Sequence, residues 1–202
     1  MSMEHDEIVI SGATIYLAPA EETEPEIQAT PAGNWATLGT SGADNLGEEG
    51  ITVAHEQTLM FKRTLGSTGP VKVVRTEEDL KISGVLVDLT AEEYAKLLND
   101  VTASDTAPDA DTGGYRTITL RQGPAVDTFA VLIRGSFSAY GESYNSQYYV
   151  PIAVQSASPS PKFSKGESAD LAFEFTAIEN TDAGDDKERF GSFKMQDAAP
   201  TG

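Results

Sequence analysis

His5 and His55 are the only imidazoles in this 202-residue chain, and it has no cysteine. Without thiols there is no disulfide framework, no thiolate zinc site and no cysteine nucleophile. His5 falls in an acidic N-terminal stretch. His55 falls mid-strand among polar neighbours and reads as a packing or surface residue. No serine sits in a Gly-x-Ser-x-Gly elbow. The Gly66–Gly69 turn lacks the Gly-Lys-Ser/Thr ending of a phosphate loop. Asp109 with Asp111, and Asp182 with Asp185 and Asp186, offer oxygen ligands. Neither group has the twelve-residue spacing and closing Glu of a calcium loop, so both read as solvated loop acids. Tyr140, Tyr144, Tyr148 and Tyr149 with Phe137 could stack on a sugar, but tyrosine is equally suited to a core edge or a subunit contact, which is the preferred reading. The chemistry-bearing residues point away from an enzyme, and no cofactor or metal is expected.

The basic residues give a more specific signal. The chain has 14 Lys and Arg against 32 Asp and Glu, a formal charge of −18. The first fifty residues hold ten acids and no Lys or Arg, and the basic residues begin at Lys62. Lys62, Arg63, Lys72 and Arg75 then flank the turn-forming run Leu65-Gly-Ser-Thr-Gly-Pro70. A hairpin tip carrying four positive charges on so acidic a chain is suited to an acidic surface on another copy. The alternative is a solvated hairpin whose charges keep its edges from aggregating. The overall balance excludes a protein that grips phosphates, which needs a Lys/Arg stripe. It also disfavours anionic membrane surfaces. No 18-residue apolar run is present, so no membrane span is expected. The acidic N-terminus does not resemble a signal peptide, which implies synthesis in a cytoplasm.

The elements that position these residues are mostly strands. Phe129, Val131, Ile133 and Phe137 share one phase, and Leu171, Phe173, Phe175 and Ala177 another, the alternation of half-buried antiparallel strands. Tyr148, Val150, Ile152 and Val154 give a third, in which Pro151 demands an edge or a bulge. Ile8–Leu17 and Arg116–Arg121 are further strands. Residues 51–89 read as a long hairpin, with a phase switch at Gly84 that a bulge would produce and a tip that is mobile or orders late. The one helix, about 90–99, starts with the capping box Thr90-Ala-Glu-Glu93. Glu92 and Lys96 would pair on its outer face. Residues 19–34 and 102–114 read as loops. Residues 1–180 are expected to form one β-sandwich or barrel-like domain with a flanking helix. Residues 181–202 are expected to be a flexible acidic tail, with Phe190 and Phe193 able to dock.

The order of these segments resembles the major tail tube proteins of long-tailed bacteriophages, over roughly residues 8–180. Trp35-Ala-Thr-Leu-Gly-Thr-Ser-Gly42 resembles the segment before that family's second strand. Thr76-Glu-Glu-Asp-Leu-Lys-Ile82 followed by Val87-Asp-Leu-Thr-Ala-Glu-Glu-Tyr-Ala95 resembles its strand-then-helix step. Tyr149-Val-Pro-Ile-Ala153, Phe163-Ser-Lys-Gly166 and Ala169-Asp-Leu-Ala-Phe-Glu-Phe-Thr-Ala177 resemble its closing strands. The resemblance implies a virion protein, assembled in a bacterial cytoplasm, whose hexameric rings stack into a tube. Its partners would be itself, tape-measure, terminator and baseplate or tip proteins, with double-stranded DNA as passing cargo. An acidic lumen would let DNA slide without sticking, though one sequence does not assign the acids that line it. The competing expectations are a glycan- or host-surface-binding β-sandwich and a single-ring tail terminator.

Overall fold

The computed structural model describes residues 12–98, 102–141, 144–166 and 168–200. His5, residues 8–11 of the first expected strand and Asn99 lie outside them. The chain is mainly β, with antiparallel strands and one α-helix. In order these are β1 (Ala13–Pro19), β2 (Ala36–Thr37), β3 (Leu46–Lys62), β4 (Lys72–Leu86), α1 (Ala91–Leu97), β5 (Ser104–Thr106), β6 (Tyr115–Thr117), β7 (Thr128–Gly135), β8 (Ser146–Gln155), β9 (Leu171–Ala177) and β10 (Ser192–Met195). The main sheet runs β2-β1-β7-β8-β9-β4-β3, with β10 beside β8, while β5 and β6 form a separate exposed pair.

The two halves of that path are joined where Ala153–Gln155 of β8 meet Phe175–Ala177 of β9, with backbone hydrogen bonds from Ser156 to Glu174 and from Ile178 to Ile152 on either side. Their inner faces fill one core. Ile15, Leu17, Val131, Ile133 and Val150 come from one half, and Leu80, Ile82, Leu86, Leu171, Phe173 and Phe175 from the other. The rings of Phe129 and Phe175 meet edge-on at 6.3 Å between centroids. This is a sandwich-like arrangement of two inner faces.

Pro151 sits where β8 changes partner. Tyr149 is the last residue paired with β10, and Ala153 the first paired with β9. The register against β7 also shifts there, so the missing amide donor costs no ladder bond.

The phase argument at Gly84 needs correcting. Leu80, Ile82 and Leu86 all keep to the buried face, so β4 does not bulge at Gly84; its extra residue is Thr76, out along the hairpin between Glu77 and Arg75. The extra residues are in β3, where Gly47–Gly50 loop out opposite Val85. Gly84 is required for another reason: a Cβ there would lie 2.6 Å from the Phe173 ring. The hairpin also begins five residues earlier than expected, at Leu46.

Helix α1 is capped as expected at one end of the box only. The Thr90 side chain accepts the Glu93 amide at 3.2 Å. The Glu93 carboxylate does not turn back; it is 4% exposed, accepts the Gly39 amide at 2.8 Å and pairs with Lys96 at 2.6 Å. Lys96 therefore pairs with Glu93, not Glu92, and Glu92 meets Arg116. The C-terminal tail is not flexible throughout. Ser192–Met195 form β10, and Phe193 stacks on Tyr148 at 4.1 Å.

Candidate assembly surface: the projecting hairpin

Strands β3 and β4 leave the body as a two-stranded arm. Strand β9 covers β4 only from Lys81 to Leu86, and beyond that point the arm has no neighbouring strand among the described residues. Residues paired across an antiparallel ladder share a face. At the root, Ile51, Val53, Leu80 and Ile82 face the core. The same face continues outward through His55, Gln57 and Glu78 to Leu59, Phe61, Val73 and Arg75, where no core remains. The opposite face ends in Met60, Val74, Lys62 and Lys72.

The arm therefore exposes apolar residues on both faces. Seven exposed large hydrophobics fall between Leu59 and Val74, with Phe61 at 54% and Leu65 fully exposed. Isolated exposed side chains are ordinary, but a contiguous run of this kind marks an interaction surface. The outer edge of the seventeen-residue β3 is also unpaired among the described residues. A long open edge invites pairing with another chain.

The four basic residues do not behave alike. Lys62 and Lys72 oppose each other directly. Like charges in that position destabilise a hairpin that has no partner. Arg63 donates to the Thr68 carbonyl at 3.2 Å. Arg75 is compensated within the arm, by Glu78 at 2.8 Å and by Gln57 Oε1 at 3.0 Å. Three positive charges at the tip are thus left without an ion pair among the described residues. At the root, Lys81 is paired with Glu56 at 2.8 Å, which holds its ammonium above the ordinary lysine value.

The other candidate residues are dispersed. His55 is exposed at the arm's root, opposite Leu80. Asp109 accepts the amides of Asp111 and Thr112 at 2.9 and 2.7 Å, an arrangement that closes its own turn and lowers its carboxyl pKa. Asp185 likewise accepts the Lys187 amide at 2.9 Å, closing its own turn. The tyrosines form no common platform. Tyr148 and Tyr149 are adjacent on β8 and take opposite faces, one on Phe193 and the other edge-on to Trp35 at 6.3 Å. Tyr140 is exposed apart from them.

One constellation escaped the sequence reading. The acidic 19–34 segment is fastened to the outer face of β7 and β8. Arg134 donates to the carbonyls of Ile27 and Ala29 at 2.8 Å each, and to Gln147. Burial pulls its pKa down, opposed by Tyr16 and Glu24. The Tyr149 hydroxyl donates to the Glu22 carbonyl at 2.8 Å, and burial, with Glu24, Glu21 and Glu22 nearby, pushes its pKa up to about 12. Glu24 ties its segment to two strands: it accepts from Gln147 of β8 at 2.6 Å, and from Lys194 and Ser192 of β10 at 2.6 and 3.2 Å. The polar phase of Arg134, alternating with Phe129, Val131 and Ile133, was visible in sequence; its backbone partners and the role of Gln147 were not.

No helix among the described residues is long and apolar enough to cross a membrane. No family model matches the chain, and no curated protein matches it.

Proposed function

We propose that the protein is a structural subunit that self-assembles, and that its assembly is the tail tube of a long-tailed bacteriophage. The observation that carries the reading is the arm, with its run of exposed apolar residues and its uncompensated tip lysines. A monomer would gain nothing from that surface, whereas a second copy can cover it. A closed ring needs one heterologous contact and stacking needs another, and an arm with an open strand edge provides two distinct surfaces. In this reading six copies form each ring, tape-measure, terminator and baseplate or tip proteins cap the stack, and DNA passes through as cargo. The charge of −18 supports a conduit: carboxylates within about 8 Å of the lumen would repel phosphates at physiological salt. The resemblance described above supplies the tail-tube part of the reading.

Negative-stain electron microscopy of concentrated protein, alone and with tail partner proteins, tests it. Rings or stacked tubes are the expected result. A species that stays monomeric under both conditions rules the reading out.

A further inference from the structure

At the root of the arm lies a groove of about 560 Å³ on the outer face of β3, β4 and β9. Its floor is small and largely apolar, with Thr52, Ser83, Val85, Ala157 and Ala172. Its rim carries four carboxylates. Glu48 and Glu49 stand on the Gly47–Gly50 loop of β3, and Asp170 and Glu174 stand on the β9 side. None of the four has an ion pair within 4 Å among the described residues. Lys81, which also feels the Glu174 charge, is itself ion-paired with Glu56 at 2.8 Å. Among the described residues, the carboxylates of Glu174 and Asp170 accept the hydroxyls of Ser156 and Ser168.

We infer that this groove receives the arm tip of a second copy. The inference rests on the self-assembly reading and assigns that reading its acceptor site. Two complementarities carry it. The tip has three cations lacking ion pairs, Lys62, Arg63 and Lys72, and the groove rim has four carboxylates lacking them. Beside the lysines, Met60 and Val74 are exposed apolar residues able to cover the floor formed by Val85, Ala157 and Ala172. The opposed lysine pair, unfavourable in a free hairpin, is relieved when carboxylates stand on either side of it.

The contact can form only between copies. From Thr52 in the groove to Lys62 at the tip is ten residues of strand, roughly 33 Å at about 3.3 Å per residue. A paired ribbon of that length does not fold back on its own root. Tip and groove are different surfaces of the same chain, so each copy can both give and receive.

The test uses two full-length variants altered only at exposed positions. One reverses the tip: Lys62→Glu, Arg63→Glu and Lys72→Glu. The other reverses the groove: Glu48→Lys, Glu49→Lys and Asp170→Lys. Circular dichroism establishes that each is folded. If the groove reversal unfolds the chain, Glu48→Gln, Glu49→Gln and Asp170→Asn replaces it. Sedimentation velocity measures the concentration at which assembly begins. Each variant alone should need at least about tenfold more protein than the unaltered chain, equivalent to about 1.4 kcal/mol. Mixing the two reversed variants in equal amounts should bring the threshold back, because each acidic tip then meets a basic groove and each basic tip an acidic one. Either variant assembling like the unaltered chain overturns the inference while self-assembly stands. So does a mixture of the reversed variants no better than its components. An unaltered chain that never assembles overturns the self-assembly reading, and the groove assignment falls with it.

Discussion

At the scale of single residues, the structure relies on a few polar groups placed between apolar ones. Tyr149 is the sharpest case. Its ring meets Trp35, and its hydroxyl donates to Glu22 in the segment that covers β8. Replacing it with Phe removes one hydrogen bond and should cost about 1 kcal/mol at neutral pH in urea unfolding. It should also change the alkaline limb. The hydroxyl ionises at about 12 in the folded chain, against 10.0 for an unperturbed tyrosine. Below pH 10 the phenol is neutral in both states and its contribution is fully present. Between pH 10 and 12 the unfolded chain gives up the proton first, so folding weakens as pH rises. The melting temperature of the unaltered protein should therefore fall more steeply than that of Tyr149→Phe across that window. Parallel curves would mean that burial does not hold the proton. Arg134 makes a complementary point about what a sequence reveals. Its place on the polar phase of β7 was readable, but its partners are carbonyls of residues 27 and 29, and carbonyls have no sequence signature.

Among the elements, those with strong periodicity were legible and those built by long-range docking were not. Strands β7, β8 and β9 follow from alternation, α1 from its Thr90 cap, and the arm from its phase and turn residues. Strand β10 is four residues long and sits in an acidic stretch, so no local pattern marks it. What creates it is distant: Glu24 holds Lys194, Tyr148 stacks on Phe193, and Gly191 lets the chain come close. At Gly191 φ is +106°, and a Cβ would lie 1.9 Å from the Tyr149 carbonyl oxygen. Gly191→Val should thus displace β10 while leaving the other strands in place. Limited proteolysis should release the C-terminal peptide from the variant well before it does so from the unaltered protein. Hydrogen exchange should show lost protection at the 146–149 half of β8. Equal cleavage rates would indicate that β10 adjusts to the side chain. The acidic 19–34 segment is a loop, as expected, but its docking was not legible for the same reason as β10, since each helps to hold the other through Glu24.

On the scale of the whole molecule, the arm and the body answer to different requirements, and they can be separated. Every side chain in the main core lies outside residues 58–77, from Ile15 through Leu80 and Ile82 to Phe175. The arm's own apolar residues are exposed, so they contribute little burial to the monomer. Selection for the stability of a single chain gives no reason to keep seven large hydrophobics and two opposed lysines there. Selection for contact between copies does. Replacing residues 58–77 with a tight Asn-Gly turn between Gln57 and Glu78 should therefore keep the folded body, with a urea midpoint close to that of the full chain. Asn-Gly is the pair best suited to a two-residue hairpin connection. The same variant should lose assembly at concentrations where the full chain forms it. A body that unfolds when the arm is removed would make the arm part of the fold. Assembly without the arm would move the contact between copies to the other open edges of the sheet.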